Sequence, residues 1–221
     1  SDCLVGSEMC IRDRIEADNK YRYSVAWVDS LDKNGRGVLT CGNHAPAEDL
    51  PRDKQDNPLL YDPKALAATP SFLPSGILNK FTVRAFNEAW YRKAPKNRIG
   101  ELQEISAFFH PLDGVKDWNR IYGPKGFIQY QFAVPNEAKD LVIIVLDTLR
   151  KAGAPSFLTV LKRFGPKNAA PLSFPIPGWT LAADVPASIP SIYEVLDKLD
   201  KKVIGCGGRL TWPKTQDNQG K

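Results

Sequence analysis

The chain is 221 residues long with a formal net charge of +5, 43% apolar and 25% charged. Those proportions are globular, too apolar and too evenly charged for an intrinsically disordered chain, and the length can bury a sizeable core. The densest apolar run, residues 141–146 (LVIIVL), falls far short of the roughly 20 residues that a membrane-spanning helix needs.

Residues 1–14 (SDCLVGSEMCIRDR) break off where patterned sequence begins, and they read as a non-native tract of the kind translated from a sequencing adapter. They lack the basic and then apolar regions of a secretory signal. They hold Cys3, Cys10 and the sole methionine, Met9, so the remainder has no start residue and keeps only Cys41 and Cys206. The expected organisation is a substrate-binding domain over 15–214 and a truncated or divergent tail over 215–221, all of it an internal piece of a longer protein.

In chain order, residues 21–28 (YRYSVAWV) are rich in aromatic and β-branched types and read as a strand. Turn chemistry over 29–35 leads to a second strand at 37–41. Residues 42–80 carry six prolines and read as irregular. Residues 81–92 (FTVRAFNEAWYR) fit helix or strand, and 102–109 reads as a strand. Residues 127–134 (FIQYQFAV) alternate and stop at Pro135. A helix follows, capped by Asn136, with Leu141, Ile144, Val145 and Leu149 on one face and Gly153 closing it. Then come a strand at 156–164, a Pro-rich connection, a strand at 179–184, a helix opened by Ser188 and Pro190 with Ile192, Val195, Leu196 and Leu199 inward, and a last strand at 209–212. The order β-α-β-β-α-β predicts an α+β fold: a split βαβ unit with helices on one face of a mainly antiparallel sheet.

Helices on one face leave the other for water, a ligand or another domain. In 127–134, Ile128, Tyr130, Phe132 and Val134 share the apolar side, so Gln129 and Gln131 point together to the opposite one. Two amides there can read hydroxyls; a merely solvated polar face has the same pattern. Lys162 ends the row Ser156, Leu158, Val160, and Lys214 follows Leu210 and Trp212 in the same way. Ammonium groups beside apolar surface suit a pocket for negative charge, and equally suit snorkelling at a sheet edge. Metal ligands are not expected: His44 and His110 are isolated, and two distant cysteines form no ligand spacing. No Gly-rich phosphate loop or G-x-S-x-G elbow appears.

The segments YRYSVAWVD (21–29), FFHPLDGVKDWNRIYGPKGFIQYQF (108–132), SFLTVLKRFGPKNAAPLSFPIPGW (156–179) and GGRL followed by Lys214 closely resemble the decaprenylphosphoryl-β-D-ribose 2′-oxidase family. The resemblance is collinear over most of 21–214. It implies the substrate domain of an FAD-linked oxidoreductase, a flavoprotein of the vanillyl-alcohol-oxidase type, with the FAD-binding domain outside this sequence. The family oxidises the ribose 2′-hydroxyl of a polyprenyl-phosphoryl sugar to a ketone in arabinose-donor (cell-wall) synthesis; a separate nicotinamide-dependent keto-reductase completes the epimerisation. By motif, Lys214 matches the catalytic lysine; Lys162, Trp27 and Lys214 fall at cofactor-facing positions, and Gln129, Gln131, Phe109, Phe164, Thr180 and Ala182 line the substrate pocket. Ala182 stands where mycobacterial members carry a cysteine, Thr180 replaces an asparagine and Phe109 a tyrosine.

A polyprenyl substrate implies peripheral contact with the bacterial inner membrane, for which Phe72, Leu73 and Ile77 are candidates. The rival readings are an aldonolactone oxidase of the same flavoprotein superfamily, whose Glu-x-Arg and H-W-x-K signatures are not visible here, and a basic RNA-binding module. The second fails on the strand at 156–164, which lacks the glycines and exposed aromatics of an RNP motif, so no nucleic acid partner is expected.

Overall fold

The computed structural model describes residues 2–6, 21–61, 67–70, 77–94, 97–110, 114–171, 173–211 and 214–216. Their strands are β1 (Asp2–Gly6), β2 (Tyr23–Val28), β3 (Gly37–Gly42), β4 (Ala67–Ala68), β5 (Asn97–Arg98), β6 (Val115–Lys116), β7 (Phe127–Pro135), β8 (Thr159–Phe164), β9 (Gly178–Pro186), β10 (Arg209–Leu210) and β11 (Lys214–Gln216). The helices are α1 (Arg52–Gln55), α2 (Lys80–Lys93), α3 (Ile105–Phe109), α4 (Asp140–Lys151) and α5 (Ile192–Gly205). The fold is α+β. One sheet runs β10-β7-β9-β8-β2-β3-β1-β5 with β11 also on β7, and its pairs are antiparallel. β4 and β6 form a separate parallel pair.

Strand alternation places the main core on one side of this sheet. Ile128, Tyr130, Phe132 and Val134 of β7 and Leu181, Ala183 and Val185 of β9 meet Val142, Val145 and Leu149 of α4 and Ile192, Leu196, Leu199 and Val203 of α5. Each such aliphatic side chain, once buried, stabilises by about 1.5–3 kcal/mol. The stripe on α4 is rotated from the expected one: Val142 is 1% exposed and Ile144 46%. The cause is the 3-10 turn Asn136–Ala138, which delays the α-helix to Asp140, so the buried spacing becomes 142, 145, 149. Gly153 follows α4 in the left-handed region, φ 72°, as its stop requires.

Residues 81–92 are helical because Asn79 accepts from the Phe81 and Thr82 amides while the Thr82 side chain bonds back to the Asn79 amide, a capping box. The strand expected over 102–109 is instead loop and the short helix α3. Its β-favouring residues lie where no sheet edge is offered: Ile105 is exposed, and Phe109 packs edge-on against Tyr23. Strand propensity without a partner strand does not make a strand.

A second cluster, Val83 of α2 with Tyr122, Phe127 and Phe157, sits at the Phe127 end of the sheet face opposite α4 and α5. That face is therefore capped at one end and clear of the main helices beyond it. Among the described residues no helix is long and apolar enough to cross a membrane. Residues 7–14 of the tract read as non-native, the lipid-contact candidates Phe72 and Leu73, Trp212 of the last expected strand, and tail residues 217–221 lie outside the described residues; Ile77 is half-buried.

Candidate functional site

Register assembles the candidate residues. Gln131 pairs with Ala182, Ala182 with Val160, and Val160 with Trp27, a single row across β7, β9, β8 and β2. The next row is Ala133, Thr180, Lys162 and Val25, and beyond it Phe164 pairs with Gly178. On the other side, Gln129 pairs with Asp184, and the backbone of Lys214 on β11 pairs with Gln129. Rows of one parity lie about 6.6–6.8 Å apart along the strands. Since the alternate residues fill the core beneath α4 and α5, Trp27, Gln129, Gln131, Lys162, Phe164, Thr180 and Ala182 all stand on the opposite face. Phe109 joins them from α3: the Lys162 Nζ lies 5.8 Å from its ring centroid. The side chain of Lys214 is outside the described residues; its backbone register alone is fixed.

The chemistry of this face is uneven. Lys162 is half-buried, and among the described residues it makes no ion pair. Burial holds its ammonium below the usual lysine range, because the charged form loses water that no carboxylate replaces. It borders a cavity of about 700 Å³ that also reaches Arg22, Tyr23, Phe109 and Phe164. Such a wall favours anionic or electron-rich ligands.

Other groups are already engaged. The Thr180 hydroxyl donates to the Phe132 carbonyl at 2.8 Å and accepts a long contact from Gln131 Nε2 at 3.5 Å. Thr180 is buried, so it supports Gln131 more than it meets a ligand. The Trp27 indole donates to the Phe157 carbonyl at 2.9 Å, which fixes the ring across the face. Ala182, half-buried, contributes only a methyl group to the Gln131 row.

One residue on this face escaped the sequence reading. Asp184 is 1% exposed. Its Oδ1 accepts from Gln129 Nε2 at 3.1 Å, and its buried Oδ2 has no partner. Burial pushes its carboxyl up to about 7, and the Gln129 hydrogen bond acts in the opposite direction. The available signal was its parity with Thr180 and Ala182.

No protein-family model matches the chain. It is 42% identical over 197 residues to the decaprenylphosphoryl-β-D-ribose oxidase of Mycolicibacterium smegmatis, an alignment covering 88% of this chain and 42% of that protein. It is 31% identical over 207 residues to a Streptomyces coelicolor protein described as an uncharacterized protein in the mprA 5′ region, covering 88% of this chain and 55% of that one. The chain thus spans about half the length of the curated relatives it matches.

Proposed function

We propose that this chain is the substrate-binding part of a flavin-dependent oxidoreductase that oxidises the ribose 2′-hydroxyl of a polyprenyl-phosphoryl sugar. The observation that carries the proposal is the sheet face itself. Gln129, Gln131 and Lys162 lie on adjacent rows of the side that α4 and α5 do not cover, in a chain 42% identical to a decaprenylphosphoryl-β-D-ribose oxidase over 88% of its length.

The face fits a flavin ring: a half-buried ammonium without a carboxylate and two fixed aromatics, Trp27 and Phe109, suit a planar group that gains negative charge on reduction. A bound FAD supplies the hydride acceptor. The chain's own residues do the rest. Oxidation of the alcohol removes a hydride from carbon and a proton from oxygen, so the sugar must be held with its C–H toward the acceptor and its O–H toward a base or relay. Gln129 and Gln131 present amide groups for the sugar hydroxyls. Lys162 holds positive charge beside the face, where negative charge develops during the transfer. Lys214, in register with Gln129, is assigned the catalytic role on the strength of the motif. Phe109 and Phe164 exclude water from the cavity end. The FAD-binding domain is placed outside 15–214, and the keto-reductase and membrane contact follow from the same reading.

The test is expression of the complete gene product and anaerobic mixing with a polyprenyl-phosphoryl ribose, with bleaching of flavin absorbance as the readout. Reduction by that substrate and not by soluble aldonolactones is expected. A flavin-free product, or reduction by lactones alone, overturns the proposal.

A further inference from the structure

Asp184 takes no part in the function proposed above, yet its setting is that of a group with a task. A buried carboxyl normally has every oxygen bonded. Here one oxygen is bonded to Gln129 and the other to nothing, on the strand that also carries Thr180 and Ala182. The geometry points to Asp184 as a positioning residue that acts through Gln129. By accepting the amide N–H on Oδ1, it turns the Gln129 carbonyl oxygen toward the open face as an acceptor for a substrate hydroxyl. This assignment rests on the proposed function for the nature of the ligand, and on the hydrogen bond alone for the orientation.

The arrangement is proton-linked. An ionised carboxylate can only accept, which forces the Gln129 N–H inward and its oxygen outward. A protonated carboxyl can instead donate to that oxygen and let the amide turn its N–H groups to the ligand. Burial raises the carboxyl into the range where both forms are populated near neutral pH. The described groups bonded to its backbone are uncharged. Tyr122 donates to the Asp184 backbone carbonyl at 3.4 Å and is itself kept neutral by burial. Leu158 contributes its backbone carbonyl, which accepts from the Asp184 amide at 3.2 Å. Lys214 lies one strand beyond Gln129 by backbone register. Among the described residues no ion pair reaches the carboxyl.

Two readouts test the proposal. In the full 221-residue chain, the Gln129 side-chain amide signals in 1H–15N spectra should shift with pH, with a midpoint near 7, and the shift should vanish in Asp184→Asn. Signals that ignore pH between 5 and 9 overturn the proton link, whether or not the variant folds. In the complete gene product, Asp184→Asn should raise KM for a polyprenyl-phosphoryl ribose about 10-fold with kcat within about 3-fold, and should flatten the pH dependence of KM. An unchanged KM profile overturns the link to substrate. Should the unaltered protein not oxidise that sugar, the proposed function falls while the amide titration still decides the role of Asp184.

Discussion

At the scale of single residues, Asp184 makes the clearest forecast. Its carboxyl titrates near 7 in the fold against about 3.9 in an unfolded chain. The folded state therefore binds a proton that the unfolded state releases between those values. The stability linked to that proton is fully present below about pH 4 and is lost as pH rises through 7. Asp184→Asn should be nearly neutral at pH 4 and should stabilise by roughly 1–3 kcal/mol at pH 8, less than the full linkage because local relaxation absorbs part of it. Urea unfolding at both pH values measures the difference; an equal effect at both would mean that the carboxyl is not held neutral. Lys214→Ala makes a kinetic forecast. In the complete gene product, reduction of the flavin by substrate should slow by at least about 100-fold, as read by stopped-flow absorbance. Alternation alone put Gln129 and Gln131 on one face, because a two-residue period survives in the sequence; that Lys162 shares it follows only from the register of β8 and β7 on β9. Asp184 was missed because the strand was expected to end on it, where an aspartate reads as punctuation. The strand continues to Pro186, and the same residue becomes a buried carboxyl.

At the scale of elements, the joint between α5 and the sheet is set by Gly208. A side-chain carbon there would stand 2.7 Å from both the Ala133 and the Val203 carbonyl oxygens, closer than atoms pack. Gly208→Ala should cost about 1–3 kcal/mol, since the backbone of β10 must withdraw from β7. Gly205→Ala is the control: it is helical, and its added carbon meets nothing within 4 Å, so stability should hold or rise slightly. Guanidinium unfolding of the pair separates a packing constraint from a general intolerance of alanine in this stretch. Elements with a strong period and clear stops, α4, α5 and β7, were legible. α3 was not, since five residues carry too little period to reveal that no neighbouring strand would accept them. The register of α4 was displaced for a related reason: a 3-10 turn leaves no mark in hydrophobic spacing.

At the scale of the whole molecule, the two faces of the sheet have different obligations. The side under α4 and α5 holds a continuous apolar cluster, enough to fold on. The other side carries a half-buried ammonium whose charge no described carboxylate offsets, and a carboxyl with an idle oxygen. Both are electrostatic costs that the fold itself carries. Nothing in the sequence supplies a Gly-rich loop for a pyrophosphate, and the alignment covers only 42% of the oxidase relative. Which group the face meets was not legible from composition or spacing, because a strand's pattern reports its own side chains and not what is set against them. The expectation is that this chain, purified alone, folds cooperatively but is colourless and takes up no FAD in equilibrium dialysis, since the ring-facing residues cannot repay the ordering of a dinucleotide without partners for its phosphates and adenine. The complete gene product should carry flavin through purification. A yellow preparation of the isolated chain would place the dinucleotide contacts within these 221 residues and would require the face to hold FAD unaided.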